Sequence, residues 1–336
     1  MTYYCGIDLH SNNNYVVVID DTDKRIYEKR LPNDLDAVHK ALLPFKESLR
    51  GVAVESTFNW YWLVDGLMDK GYPLQLVNTA QVKQYEGLKH TDDPYDAYWL
   101  AHLMRLGILP TGYIYPKEER AIRDLLRKRG QLVNYRISHI LSSQNIYWRN
   151  TGQKLPADDI KHGTDYWQDF ENDNTKLALS SHAPVIESLN EQIGKIERAV
   201  LKQSRLRPEF QKLTTVNGIG KILALTIMLE TGDITRFNKV GNYASYCRCV
   251  AAKKISNGKK KGEGNQKNGN KYLCWAFIEA ANFAKRYNDK AKRFHQKKRA
   301  KTNNVVATKA LAHKLARACY FIMRDQVPFN QDLLFA

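Results

Sequence analysis

Cysteine is scarce in this chain: Cys5, Cys247, Cys249, Cys274 and Cys319 are the five in 336 residues. The number is odd, no two form a Cys-x-x-Cys pair, and no cysteine–histidine cluster has zinc-like spacing. That excludes a disulfide framework, and the thiols read as reduced, in a cytoplasmic protein. No stretch approaches the roughly 18 consecutive apolar residues of a membrane span. The opening Met1-Thr2-Tyr3-Tyr4-Cys5 lacks the basic-then-apolar layout of a signal peptide, so neither export nor a membrane partner is expected. Acids are also short, with 35 Asp and Glu against 52 Lys and Arg, a net charge of +17. Glycine is missing at one telling place. After Gly6-Ile7-Asp8 the text runs Leu9-His10-Ser11-Asn12-Asn13-Asn14. Nothing there cradles a phosphate, which argues against an ATPase that opens with an Asp on its first strand.

The positive charge is concentrated. Residues 251–301 hold sixteen Lys or Arg and only three acids, Glu263, Glu279 and Asp289. A block this basic points to a polyanion, most simply nucleic acid. Tyr272, Trp275, Phe277, Phe283, Tyr287 and Phe294 interrupt it, which suits a packed helix face or base stacking. At 336 residues the chain is long enough for two or three domains, each with a core.

Periodicity orders the elements. Residues 3–9 and 15–19 read as a β-hairpin around the turn-like residues 10–14, and residues 25–31 as a third strand. Helical spacing covers residues 35–49 and 60–68, the latter closed by Gly71; compact strands fall at 51–55 and 73–77. A meander followed by alternating helices and strands indicates an α/β domain with a mixed sheet. Residues 118–148 and 177–206 predict two long helices, an antiparallel hairpin or coiled coil that joins protomers or packs within one chain. Residues 155–174 read as a polar loop. Val216-Asn217-Gly218-Ile219-Gly220-Lys221 leads into an apolar helix. Its Gly-Ile-Gly turn either offers backbone N–H groups to a phosphate, as a helix-hairpin-helix does, or is a tight turn before a buried helix. Residues 239–249, 271–285 and 309–325 read as helices, and residues 253–270 as a loop. The fold class expected is α/β plus α. The boundaries expected are 1–115 for a catalytic domain, 116–210 for a helical connector and 211–330 for a mainly helical C-terminal domain.

Four carboxylates stand out by position. Asp8 ends the first strand, Glu55 ends a buried one, and Asp93 and Asp96 lie three apart at a helix start, hence on one face. Phosphodiester chemistry uses Mg²⁺ ions, often two, held by such oxygens. Thr91-Asp92-Asp93-Pro94-Tyr95-Asp96 is equally a helix start, with Asp93 as N-cap and Pro94 at the first helical position. A residue can fill both roles. His10, His90 and His102 lie nearby in sequence and read as structural or solvent-facing.

Gly6-Ile7-Asp8, Val54-Glu55-Ser56-Thr57 and Thr91-Asp92-Asp93-Pro94-Tyr95-Asp96-Ala97 together resemble the DEDD transposases of bridge-RNA-guided insertion sequences. Downstream, Val216-Asn217-Gly218-Ile219-Gly220, Gly232-Asp233-Ile234-Thr235-Arg236-Phe237 and Lys254-Ile255-Ser256-Asn257-Gly258-Lys259 resemble that family's second domain. The joint order spans nearly the whole chain. The resemblance implies an RNase H-like first domain, similar to Holliday-junction resolvases, with Asp8, Glu55, Asp93 and Asp96 as Mg²⁺ ligands. It implies Ser256 as a nucleophile forming a phosphoserine, with a Holliday-junction intermediate. It implies homo-oligomers that bind donor and target DNA and an element-encoded guide RNA, in a bacterial cytoplasm and on its nucleoid when active.

Two departures qualify the match. An extra acid after the threonine makes Asp92 compete with Asp93, and the three-residue spacing favours Asp93. Asn257 separates the serine from its glycine, which leaves Ser245 as an alternative. Lys253, Lys254, Lys259, Lys260 and Lys261 surround Ser256 and suit a bound strand, as Gly218, Gly220 and Lys221 suit a phosphate. A serine hydroxyl needs activation, and no base stands near Ser256 in sequence. The expectation is that the acidic centre supplies it, in cis or across a protomer boundary. The rivals are a hydrolytic resolvase using the acids alone, and a non-enzymatic nucleic-acid-binding protein.

Overall fold

Alternation along the first strands already assigns two faces to a sheet, because successive side chains of a strand point to opposite sides. The computed structural model describes residues 1–82, 92–163, 165–204, 206–250, 254–263 and 268–335. It divides into two units, Met1–Lys117 and Glu118–Ala336. His90, Thr91 and Lys253 lie outside the described residues, and of Lys254 and Lys260 only the backbone is described.

In the first unit, strands β1 (Tyr3–Leu9), β2 (Asn13–Ile19) and β3 (Arg25–Pro32) form an antiparallel meander. Helix α1 (Leu35–Leu42) follows, and Pro44 turns the chain into a short 3₁₀ stretch, so the helix expected over residues 35–49 stops early. Strand β4 (Leu49–Glu55), helix α2 (Tyr61–Asp69) and strand β5 (Leu74–Val77) complete a five-stranded sheet of order β3-β2-β1-β4-β5. β1, β4 and β5 run parallel. Helix α3 (Thr79–Val82) and helix α4 (Asp93–Arg105) follow.

One sheet face carries Ile7, Leu9, Val16, Val18, Val52 and Val54, buried with Val38 and Leu42 of α1 and Leu63, Val64 and Leu67 of α2. The other face carries Val17, Ile19 and Ala53, and it is covered by Ala97, Leu100, Ala101 and Leu103 of α4. Each such aliphatic side chain contributes roughly 1.5–3 kcal/mol when fully buried. The contact with α4 is closest at Gly6. A Cβ there would stand 1.9 Å from the Ala97 carbonyl oxygen and 2.9 Å from the Ala101 nitrogen. Only glycine allows that approach. It lays the first turn of α4 along the same side of the sheet as Asp8 and Glu55.

The second unit is helical. Helix α5 (Lys117–Thr151) opens it, followed by α6 (Ala157–Lys161), α7 (Asp173–Ser180) and α8 (His182–Ser204). α5 and α8 run antiparallel side by side: Arg129 reaches Glu197 at 2.7 Å, Arg136 donates to Asn190 at 2.7 Å, and His139 meets His182 at 2.9 Å. The described residues of 155–174, expected as a polar loop, instead fold back onto this pair. Leu155, Ile160 and Tyr166 share a small core with Ile140, Leu179 and Ile186. Helices α9 (Pro208–Leu213), α10 (Lys221–Thr231) and α11 (Val240–Tyr246) lead to a two-stranded hairpin, β6 (Lys254–Ser256) and β7 (Lys259–Gly262). Helices α12 (Lys271–Tyr287), α13 (Asp289–Lys301), α14 (Asn304–Asp325) and α15 (Gln331–Phe335) end the chain. The α10 helix is buried from Leu223 to Thr231, against an alanine-rich face of α12 and against α8 and α9. Gly218, at φ +94°, would bring a Cβ within 2.5 Å of the α12 backbone at Ala280 and Ala284. That glycine is therefore needed for helix packing.

Candidate functional site

The acidic centre grows from three adjacent pieces of backbone. β1 delivers Asp8, which is 4 % exposed. One residue past the last paired positions, Ile7 and Val54, the parallel neighbour β4 delivers Glu55, half-buried. The first turn of α4 delivers Asp93, half-buried, and Asp96, exposed. The structure corrects the helix cap: Asp92, not Asp93, is the N-cap, and its carboxylate accepts the Tyr95 backbone N–H at 3.0 Å. The reason is local. Asp92 has the extended backbone that a cap needs, and Pro94 sits in the first turn, where no N–H is missed. Capping occupies Asp92 and leaves the Asp93 carboxylate to face the sheet.

Asp93 meets Asp8 through a residue read from sequence as structural or solvent-facing. His10 places Nε2 3.1 Å from Asp8 Oδ2 and 3.4 Å from Asp93 Oδ1. Among the described residues, the one group with metal-ligand spacing is Asp8, His10 and Asp93, whose donor atoms all lie within 4.8 Å of one another. Glu55 and Asp96 do not belong to that group. The His10 loop is fixed by its backbone. The carbonyl accepts from Asn33 at 3.0 Å and from Asn59 at 2.9 Å, and the N–H donates to Asn13 at 2.9 Å. Arg30 was also missed. Asp8, Tyr15 and Arg30 stand in register across three strands, and Arg30 Nη2 reaches Asp93 Oδ2 at 2.6 Å. The Asp-x-His spacing was the available signal for His10. Arg30 gave none, because an Arg on an edge strand is ordinary.

Two carboxylates and an imidazole converging on one point make a donor set that fits a divalent cation. Mg²⁺ asks for one or two protein carboxylates and completes its shell with water and substrate phosphate. His102 lies at the other end of α4. It donates from Nδ1 to Asp23 at 2.7 Å, beside Arg105 at 3.0 Å, and serves to pin α4 to the β2–β3 turn.

Ser256 lies in the second unit, at the tip of a hairpin and not in the loop expected over residues 253–270. It pairs with Lys259 across the two-residue turn Asn257-Gly258, at φ +49° and +70°. Both positive angles suit a type I′ turn, and Asn-Gly is the dipeptide that turn prefers. The intervening asparagine thus has a structural cause. Ser256 and Lys259 are exposed, and Ser256 makes no side-chain hydrogen bond to a described residue. The described residues on either side of the hairpin are tied to one another. Asn270 N–H donates to the Tyr246 carbonyl at 2.6 Å and Arg248 Nε to the Gly269 carbonyl at 3.0 Å. The Asn270 side chain caps α12 and donates to buried Glu230 at 2.7 Å. Glu230 in turn takes a bidentate pair from Arg127 at 2.6 and 2.7 Å. Burial opposes the Arg127 charge, yet Glu230 outweighs it and raises the guanidinium's pKa. Ser245 lies in α11. Gly220 is the exposed N-cap of α10, with no side chain capping that helix, and Lys221 beside it is exposed.

Residues 5–145 match a family model described as a transposase, of the DEDD type of IS110. Residues 210–296 match a second, described as the transposase IS116/IS110/IS902 family. No curated protein sequence matches the chain significantly. The first match takes in Asp8, Glu55, Asp93 and Asp96, and the second takes in the Gly218–Gly220 turn and Ser256. The DEDD type of the first domain implies a divalent metal. The chain thus carries, in order, the two domains of an IS110-family transposase, and it is a DNA transposase.

Proposed function

We propose that this transposase is an RNA-guided, Mg²⁺-dependent recombinase that exchanges strands through a covalent phosphoserine on Ser256. The observation that carries this reading is the placement of Ser256: exposed, paired with Lys259, at the tip of a hairpin inside the second matched domain. The first domain is read as RNase H-like, with Asp8, Glu55, Asp93 and Asp96 as its metal-binding acids. The described cluster supports Asp8 and Asp93 directly. The guide RNA and the homo-oligomer rest on the family resemblance, and the coiled-coil character of α5 and α8 and the three-part division at 115 and 210 rest on the sequence pattern.

The Ser256 hydroxyl attacks the scissile phosphorus. A P–O bond to the serine forms as one P–O bond to a sugar breaks; the serine proton passes to an acceptor and the departing sugar oxygen takes one up. The freed sugar hydroxyl of another strand then reverses the step and releases the serine. When bound, a divalent ion would stabilise the phosphate charge that develops. Lys259, with Lys253, Lys254, Lys260 and Lys261, binds the scissile strand. Gly220 and Lys221, at the exposed start of α10, bind a further phosphate. Gly218 contributes the turn.

The test is strand exchange with the full chain, its element's non-coding RNA, donor and target DNA and Mg²⁺, comparing wild type with Ser256→Ala. A protein–DNA adduct that forms with wild type and vanishes with the variant is expected. Equal cleavage by both without an adduct would sink the serine mechanism. It would favour hydrolysis by the acidic centre alone.

A further inference from the structure

We propose that His10 is a protein ligand of the metal taken by the acidic centre, and that its ring nitrogen makes the centre select manganese(II) over magnesium. The inference rests on the metal-centre reading of Asp8 and Asp93 and goes beyond its four carboxylates.

Geometry carries it first. Two donors that share one octahedral ion at about 2.1 Å stand about 3 Å apart. His10 Nε2 stands 3.1 Å from Asp8 Oδ2 and 3.4 Å from Asp93 Oδ1. The ring is 42 % exposed, yet Nε2 itself is shielded from solvent and makes no well-formed hydrogen bond. A ring held only by ion pairing would aim a hydrogen squarely at one oxygen. This nitrogen instead lies within 3.4 Å of two and makes a hydrogen bond to neither.

The backbone carries it second. The turn holding His10 is fixed at its carbonyl by Asn33 and Asn59 and at its N–H by Asn13. A surface side chain needs no such anchoring, whereas a ligand gains affinity from it, because less freedom is lost on binding. Asp93 also divides its oxygens, giving Oδ2 to Arg30 and turning Oδ1 toward His10. The cation from the sheet and the imidazole from the turn therefore do not compete.

The chemistry follows. An all-oxygen set suits Mg²⁺, which sheds its water reluctantly, while an imidazole favours first-row transition-metal dications. Among these dications, manganese(II) is the one that carboxylate and water ligands suit as they suit Mg²⁺, so it is the one a set of two carboxylates and a single imidazole favours.

The test uses the full-length chain loaded with Mn²⁺ alone and read by pulsed electron paramagnetic resonance and by binding titration. Expected are a ¹⁴N coupling to the bound ion and tighter binding of Mn²⁺ than of Mg²⁺. His10→Gln should abolish the coupling and weaken Mn²⁺ binding at least tenfold, the scale on which even outer partners of a metal ligand act. Wild-type protein labelled with ¹⁵N-histidine reads the same coupling without any substitution, so misfolding of a variant cannot hide the answer. Mn²⁺ that binds in an Asp8-dependent way but without nitrogen coupling overturns the role of His10 and leaves the acidic centre standing. Binding that ignores Asp8→Asn overturns both.

Discussion

At the residue scale the site depends on an atom that is missing. Gly6 has no Cβ, and the space a Cβ would fill is held by the α4 backbone at Ala97 and Ala101. Backbone yields less easily than a side-chain end, so Gly6→Ala must push α4 off the sheet or leave it strained. The expected cost lies at the upper end of the ~1–3 kcal/mol typical of overpacking. It should show as a lower midpoint in denaturant unfolding. Because α4 carries Asp93, the same change should weaken metal binding by the folded protein. Normal stability together with normal metal affinity would refute the account. This glycine was legible as an anomaly, since a glycine inside a strand often marks a close approach. What met it was not legible: Ala97 is ninety-one residues away and belongs to no pattern that includes Gly6. The same distance hid His10. Its spacing from Asp8 was plain, but its facing Asp93 depends on where α4 crosses.

At the element scale, what was legible followed from strong local signals. A short apolar run gave β1, a β-branched run β2 and a compact apolar stretch β4; helical spacing gave α5 to within three residues, while the one helix expected over residues 177–206 is divided between α7 and α8. Weak local signals failed. The Asn257-Gly258 turn was masked by the glycines, asparagines and lysines around it, so a hairpin read as loop. Residues 155–174 carry Leu155, Ile160 and Tyr166 at no regular spacing, and only the groove between α5 and α8 gives them a common destination. That helix pair also has a built-in pH response. His139 and His182 approach at 2.9 Å between their Nδ1 atoms, which tolerates one shared proton but not two full charges. Burial, and then the His139 charge, lower the His182 pKa. The folded state therefore holds His182 neutral more strongly than the unfolded chain does, so its contribution to stability is complete above the ordinary histidine value of about 6.5 and is lost as pH falls below it. Unfolding midpoints should fall as pH drops below about 6.5, and His182→Gln should flatten that part of the profile. A variant whose midpoints fall as steeply as those of wild type would remove the histidine pair as the cause.

At the scale of the whole molecule, charge decides how the protein meets nucleic acid. The net +17 is gathered toward the C-terminal half, and α13 shows how the fold presents it. Ala291 and His295 turn inward, His295 bonding Thr308 of α14 at 3.1 Å, with burial and then Lys285 and Arg299 lowering its pKa. Lys292, Arg293, Lys297, Lys298, Arg299 and Lys301 are left exposed. Such a face costs self-repulsion when the protein is free and gains counterion release when a phosphate backbone lies against it. Affinity for duplex DNA should therefore fall steeply with salt, with a logarithmic slope of about −0.9 for each phosphate neutralised. Replacing Lys297, Lys298 and Arg299 by glutamine should make the slope shallower by about one unit for each phosphate left without its cation, and it should weaken binding alike on unrelated sequences. The measurement is a set of binding isotherms between about 50 and 200 mM salt, the range over which such pairings are resolved. A triple variant with an unchanged slope would move the interface off α13. A slope that changed on one sequence only would mean that these cations read bases, which the sequence-independent pull of a phosphate backbone does not require.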